Sequence, residues 1–69
     1  MNVDQKNKYS VERILELMEQ VETVTGKFFV EIDPQLEFDI WEAVDQKETH
    51  KYSFLINQLG HLIDDINLR

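Results

Sequence analysis

The sequence predicts a mainly α-helical chain that contains one short strand. Three stretches repeat apolar residues at alternating spacings of three and four, which predicts amphipathic helices over 10–25, 34–47 and 51–67. A fourth stretch, 27–32, alternates with a period of two, as half-buried strands do. The predicted order is an N-terminal helix followed by strand, helix and helix. A three-helix bundle is the alternative.

The chain is short, acidic and free of cysteine. Its 69 residues suffice for one small domain, predicted over 10–69, with a flexible polar N-terminus at 1–9. In a chain of this size the burial of apolar surface barely offsets the entropy lost on folding, and without cysteine it has no disulfide or thiolate metal site. We therefore predict a homodimer. The absence of a leader-like or long apolar stretch predicts a cytoplasmic protein without a membrane partner.

The first helix and the strand follow from local signals. Ser10 is a suitable helix N-cap and Gly26 a suitable stop, with an apolar stripe between them. In the strand, Phe28, Val30 and Ile32 alternate with a second set, Lys27, Phe29 and Glu31. Both edges of a lone strand are unpaired, so we expect it to pair with the same strand of a second copy.

The last two helices are separated by a polar turn. Asp33 followed by Pro34 indicates the start of the first of them, and Leu36 and Ile40 begin its apolar stripe. The turn contains neither glycine nor proline. The final helix has a wide apolar face, composed of Tyr52, Leu55, Ile56, Leu59, Leu62, Ile63 and Ile66.

The negative charge is concentrated in the middle of the chain. Residues 31–48 hold seven carboxylates against one lysine, a net charge of −6, whereas residues 49–63 hold no acid. The electrostatic field of a chain with a net charge of −7 repels nucleic acid and anionic membranes.

The order of elements over 27–66 resembles the ribbon-helix-helix family of Arc/MetJ-like regulators and antitoxins. The residues that carry the resemblance are Phe28, Val30 and Ile32 in the strand, Asp33, Pro34 and Leu36 at the first helix, and Ser53, Ile56 and Asn57 at the second. The resemblance implies a dimeric, DNA-binding transcription regulator or antitoxin-type module, in which two strands form a ribbon that enters the major groove.

The same resemblance implies two sets of site residues. The groove-facing strand positions are Lys27, Phe29 and Glu31, of which only Lys27 suits a phosphate. A phosphate anchor at the start of the last helix would be formed by His50, Lys51 and Ser53. These residues are therefore compatible with a chain that keeps the ribbon-helix-helix fold but whose binding to nucleic acid is altered or lost.

Two other functions follow from the residues themselves. The first is an acidic protein-binding inhibitor or adaptor that occupies a basic surface of its target through Glu37, Asp39, Glu42 and Asp45. The second is a plain oligomerisation module. The aromatic residues Phe29, Phe38 and Trp41 fit an exposed interface or a core.

An enzyme is not expected from this sequence. It has no glycine-rich phosphate loop, no serine or cysteine nucleophile with a credible partner, and no zinc-site spacing. We predict no catalytic residue, metal, cofactor or small-molecule substrate.

Overall fold

The computed structural model describes residues 8–68, in which every regular element is helical and short turns join the helices. Of the predicted flexible N-terminus, all but Lys8 and Tyr9 lies outside the described residues. The elements are the helices α1 (Val11–Thr25), α2 (Phe29–Ile32), α3 (Pro34–Asp45) and α4 (Tyr52–Asn67), with a 3-10 turn (Thr49–Lys51) before α4.

Helix α1 begins and ends at residues that satisfy its free backbone groups. The Ser10 hydroxyl accepts a hydrogen bond from the Arg13 N–H at 3.2 Å, which is the usual contact of an N-cap. At the other end Gly26 has a φ of 71°, and its N–H donates to the Glu22 carbonyl at 2.8 Å. Between these caps, Ile14, Leu17, Met18 and Val21 are buried.

The predicted strand over 27–32 is wrong, and with it the strand-helix-helix ribbon fold. No strand is present among residues 8–68, and the segment instead forms the single helical turn α2. Two carboxylates satisfy its first N–H groups: Glu31 Oε2 accepts from Phe28 at 3.0 Å, and Glu22 Oε2 accepts from Phe29 at 2.7 Å. Because these groups are satisfied within the chain, the segment needs no partner strand. The strand through which the predicted dimer would pair is therefore absent from residues 8–68, whereas the alternative of a helical bundle fits.

Helix α3 ends at a complete Schellman motif without glycine. Asp33 caps its start by accepting from the Leu36 N–H at 3.1 Å. At its end Lys47 has a φ of 55°, its N–H donates to the Val44 carbonyl at 3.2 Å, and the Glu48 N–H donates to the Ala43 carbonyl at 2.8 Å. The turn that the sequence leaves unmarked is thus made by a lysine in the left-handed region.

A glycine at this position should stabilise the fold. An L-residue in the left-handed region costs about 1–2 kcal/mol, while glycine adds roughly 0.5–1 kcal/mol of chain entropy to the unfolded state. We therefore expect Lys47→Gly to raise the free energy of unfolding by about 0.5–1 kcal/mol in urea titrations. Lys47→Ala is the matched control, since it removes the charge and keeps the strain. If alanine stabilised the chain as much as glycine, the lysine charge would be responsible.

The core is formed by all four helices. Helix α1 packs most extensively against α4, whereas α3 lies against α2, the 3-10 turn and α4. Phe29 of α2 lies in the core with 2% of its surface exposed. The remaining buried residues are Ile14, Leu17, Met18, Val21, Leu36, Ile40, Ala43, Tyr52, Leu55 and Leu59. No helix in the described part of the chain has the length and apolar character needed to cross a membrane.

Candidate functional site

Large apolar side chains are exposed around helix α3. Phe38 and Trp41 on α3 expose 61% and 45% of their surfaces, and Phe28 before α2 exposes 72%. Together with the exposed Phe54 of α4, they line three grooves that share residues. Trp41 lines the first two grooves, and Glu42 lines the second and the third. The α3 face, as we call this surface, comprises Leu15, Phe28, Val30, Glu37, Phe38, Asp39, Trp41, Glu42, Asp45 and Phe54.

The first groove lies between α1 and α3 and has Phe29 among its lining residues. Its volume is about 390 Å³. Apolar side chains from three elements line it, among them Leu15 of α1, Phe28 before α2 and Trp41 of α3. Three carboxylates, those of Glu19, Glu22 and Glu37, complete the lining. We call this cleft the α1–α3 groove.

The other two grooves flank the outer side of α3. One is lined by Phe38, Trp41, Glu42, Val44, Asp45 and Gln46, and the other by Asp39, Glu42, His50, Lys51, Phe54 and Leu55. Both combine exposed aromatic rings with carboxylates. An apolar surface bounded by charge is typical of a protein interaction site rather than of a core.

The four carboxylates of the predicted acidic face differ in their surroundings. Asp39 accepts a hydrogen bond from the Gln35 amide at 3.0 Å, and Glu42 and Asp45 are exposed. Glu37 is half-buried, and its Oε1 has almost no exposed surface and accepts no hydrogen bond from the residues that the structure describes. Three of the four thus face water, and the fourth holds an unsatisfied oxygen in the α1–α3 groove.

The predicted groove-facing residues of the strand do not share one surface. Phe29 is buried, so it is not available as a surface contact. Lys27 and Glu31 are exposed and line a separate groove with Leu62, Asp65 and Ile66 of α4. The alternation of side chains is lost because a helical turn places residues about 100° apart rather than on two opposite faces.

The predicted phosphate anchor is partly assembled but lies among acids. His50 and Lys51 line the same groove as Asp39 and Glu42, and Lys51 Nζ forms a salt bridge with Glu48 Oε1 at 3.2 Å. Ser53 is half-buried and belongs to none of these grooves. The Tyr52 N–H donates to the Thr49 carbonyl, so the 3-10 turn uses a donor that an anion would require.

Several residues of the α3 face have no distinguishing signal in the sequence. Phe28 and Val30 belong to the alternating segment that predicts a strand, and Leu15 lies within the apolar pattern of the first helix. Phe54 stands beside the stripe of α4 and could have been identified as an exposed aromatic residue from its helical position alone. Glu22 is seven residues from the N–H that it accepts from, and only the folded chain brings the two together.

The described residues contain no cluster of three or more histidine and acidic side chains able to hold a metal ion. No known family model matches the chain, and no curated protein or solved structure matches it.

Proposed function

We propose that this chain is a non-enzymatic protein-binding module, an inhibitor or adaptor that docks the α3 face on a basic surface of a partner protein. The observation that carries the proposal is the coincidence of exposed aromatic rings and carboxylates on three connected grooves. Aromatic side chains are common anchors of protein interfaces, where they contribute a large share of the binding energy.

The charge of the α3 face supports a basic partner. Glu37, Asp39, Glu42 and Asp45 all belong to α3, within the segment of net charge −6. Such a face attracts a positive surface over a distance of about 8 Å at physiological salt, and it repels phosphates. A protein with a basic and partly apolar surface therefore fits it better than a nucleic acid does.

Photo-crosslinking from the α3 face tests this function. A benzophenone amino acid replaces Phe38 in cells that express the chain, and the same residue at Val24 is the control. Both positions are more than half exposed, but Val24 lines a different groove. We expect position 38 to yield a discrete protein adduct that position 24 does not. Equal adducts at both positions, or an adduct with nucleic acid, would contradict the proposal.

Charge reversal then tests the role of the carboxylates with the partner so identified. Glu42→Lys with Asp45→Lys changes the net charge from −7 to −3, as does Glu12→Lys with Glu16→Lys on exposed positions of α1. We expect the α3 pair to slow association by about tenfold at low salt and the α1 pair to slow it much less. If the two pairs slow association equally, only the total charge matters and the α3 face is not the contact.

A further inference from the structure

The α1–α3 groove contains a feature that the rest of the α3 face lacks. Glu37 Oε1 is withdrawn from water and accepts no hydrogen bond from residues 8–68. A carboxylate oxygen in this state has lost its solvation without gaining a donor, so it has more to gain from a ligand's N–H than an exposed oxygen has. A donor that enters the groove meets the Glu37 oxygen that faces it, and it compensates the negative charge that the two carboxylate oxygens share.

The neighbours of Glu37 favour a planar cation. Glu19 and Glu22 line the same groove, and Glu22 already uses Oε2 on the Phe29 N–H. Among residues 8–68, no lysine, arginine or histidine lines the groove, so these residues do not neutralise its negative charge. The exposed ring systems of Phe28 and Trp41 lie on its walls. A guanidinium combines paired N–H donors for a carboxylate with a flat face that stacks on aromatic rings.

From this lining we infer that the α1–α3 groove takes an arginine side chain presented by a helix of the partner protein, with Glu37 as its acceptor. The inference rests on the proposed docking function and names the anchor of that same face. The apolar walls contributed by Leu15 and Val30 hold the aliphatic residues that flank the arginine on the partner helix. A second copy of this chain is a poorer occupant, because two chains of charge −7 repel each other.

The chain provides its own reporter for this groove. Trp41 is the single tryptophan of the sequence and lies on the groove wall with 45% of its surface exposed. Its fluorescence emission therefore responds to an occupant of the groove without any label. The probe is an acetylated and amidated 14-residue alanine-based helical peptide with one arginine between two leucines, and matched peptides carry lysine or norleucine at the arginine position.

We expect the arginine peptide to shift the Trp41 emission and to bind about tenfold more tightly than the norleucine peptide, as a charge-assisted hydrogen bond allows. Lysine should fall between them. Glu37→Gln should abolish the preference for arginine, whereas Glu12→Gln, at an exposed position of α1 outside this groove, should leave it intact. Glu37 lies in the first turn of α3, so replacing it also changes the charge at the start of that helix. Glu19→Gln, on α1 and in the same groove, is therefore a second variant, and it should also weaken the preference for arginine over norleucine.

Three results would overturn the inference. Equal affinity of the arginine and norleucine peptides would show that the groove does not recognise a cation. An unchanged preference for arginine in Glu37→Gln would show that Glu37 is not the acceptor. A Trp41 emission that varied with protein concentration alone would identify a second copy as the occupant. Any of the three, combined with a discrete crosslinked partner at position 38, would remove the arginine anchor and leave the docking function standing.

Discussion

Phe29→Ala should lower the free energy of unfolding by about 3–5 kcal/mol, the usual cost of removing a buried phenylalanine. Phe29 is 2% exposed and packs in the core as part of α2. A chain of this length has a total stability of roughly 3–10 kcal/mol, so the variant should be partly or wholly unfolded at 25 °C. Urea titration followed by far-ultraviolet circular dichroism measures the effect.

Phe28→Ala is the matched control, since it removes the same side chain one position earlier. Phe28 is 72% exposed, so we expect its loss to change the free energy of unfolding by less than about 0.5 kcal/mol. The two variants together distinguish a helical turn from a strand. A strand with Phe28, Val30 and Ile32 on its inner face would reverse the order, with Phe28→Ala the more damaging change.

Ile40→Ala should lower the free energy of unfolding by about 2–4 kcal/mol. Ile40 is fully buried at the centre of the apolar stripe of α3, so its truncation leaves a cavity between α3 and the rest of the core. The variant should keep its helical circular dichroism at low temperature and unfold at a lower midpoint, with the urea dependence of the transition unchanged.

Phe38→Ala removes a larger side chain from the same helix and should cost much less. Phe38 is 61% exposed, and we expect a change below about 0.5 kcal/mol. The same variant should weaken partner binding, because Phe38 belongs to the α3 face. A loss of stability comparable to that of Ile40→Ala would show that Phe38 is a core residue, and the α3 face would then lose its central aromatic ring.

The three aromatic residues Phe29, Phe38 and Trp41 show what local sequence patterns can and cannot predict about burial. The sequence leaves Phe38 and Trp41 open between an exposed interface and a core, and the structure exposes both. Periodicity could not predict the burial of Phe29. Period-two alternation over six residues is compatible with a strand and with a short helical turn, and in such a turn the neighbouring helices decide which side chains are buried. The turn after α3 was also unmarked, because a lysine rather than a glycine adopts the left-handed conformation there.

The grooves could be predicted only in part. The carboxylates of α3 follow from the charge pattern, and their position on one helix follows from the Asp33–Pro34 start. The α1–α3 groove depends on a tertiary relation, because Glu22 holds the first N–H of α2 and thereby fixes Phe28 and Phe29 beside α1. No spacing in the sequence encodes that contact.

The sequence by itself determined the helical stripes, the caps at Ser10 and Asp33, and the concentration of acid in the middle of the chain. These depend on interactions within a few residues, which local periodicity records. Only the tertiary structure decided that residues 27–32 turn instead of extending and that Phe29 is buried while Phe28 is exposed. It also decided that Glu37 Oε1 has no donor among residues 8–68. The physical reason is that the burial of a side chain and the pairing of a polar group depend on contacts from the other helices. A short segment therefore adopts the conformation whose backbone groups and apolar side chains those helices can satisfy.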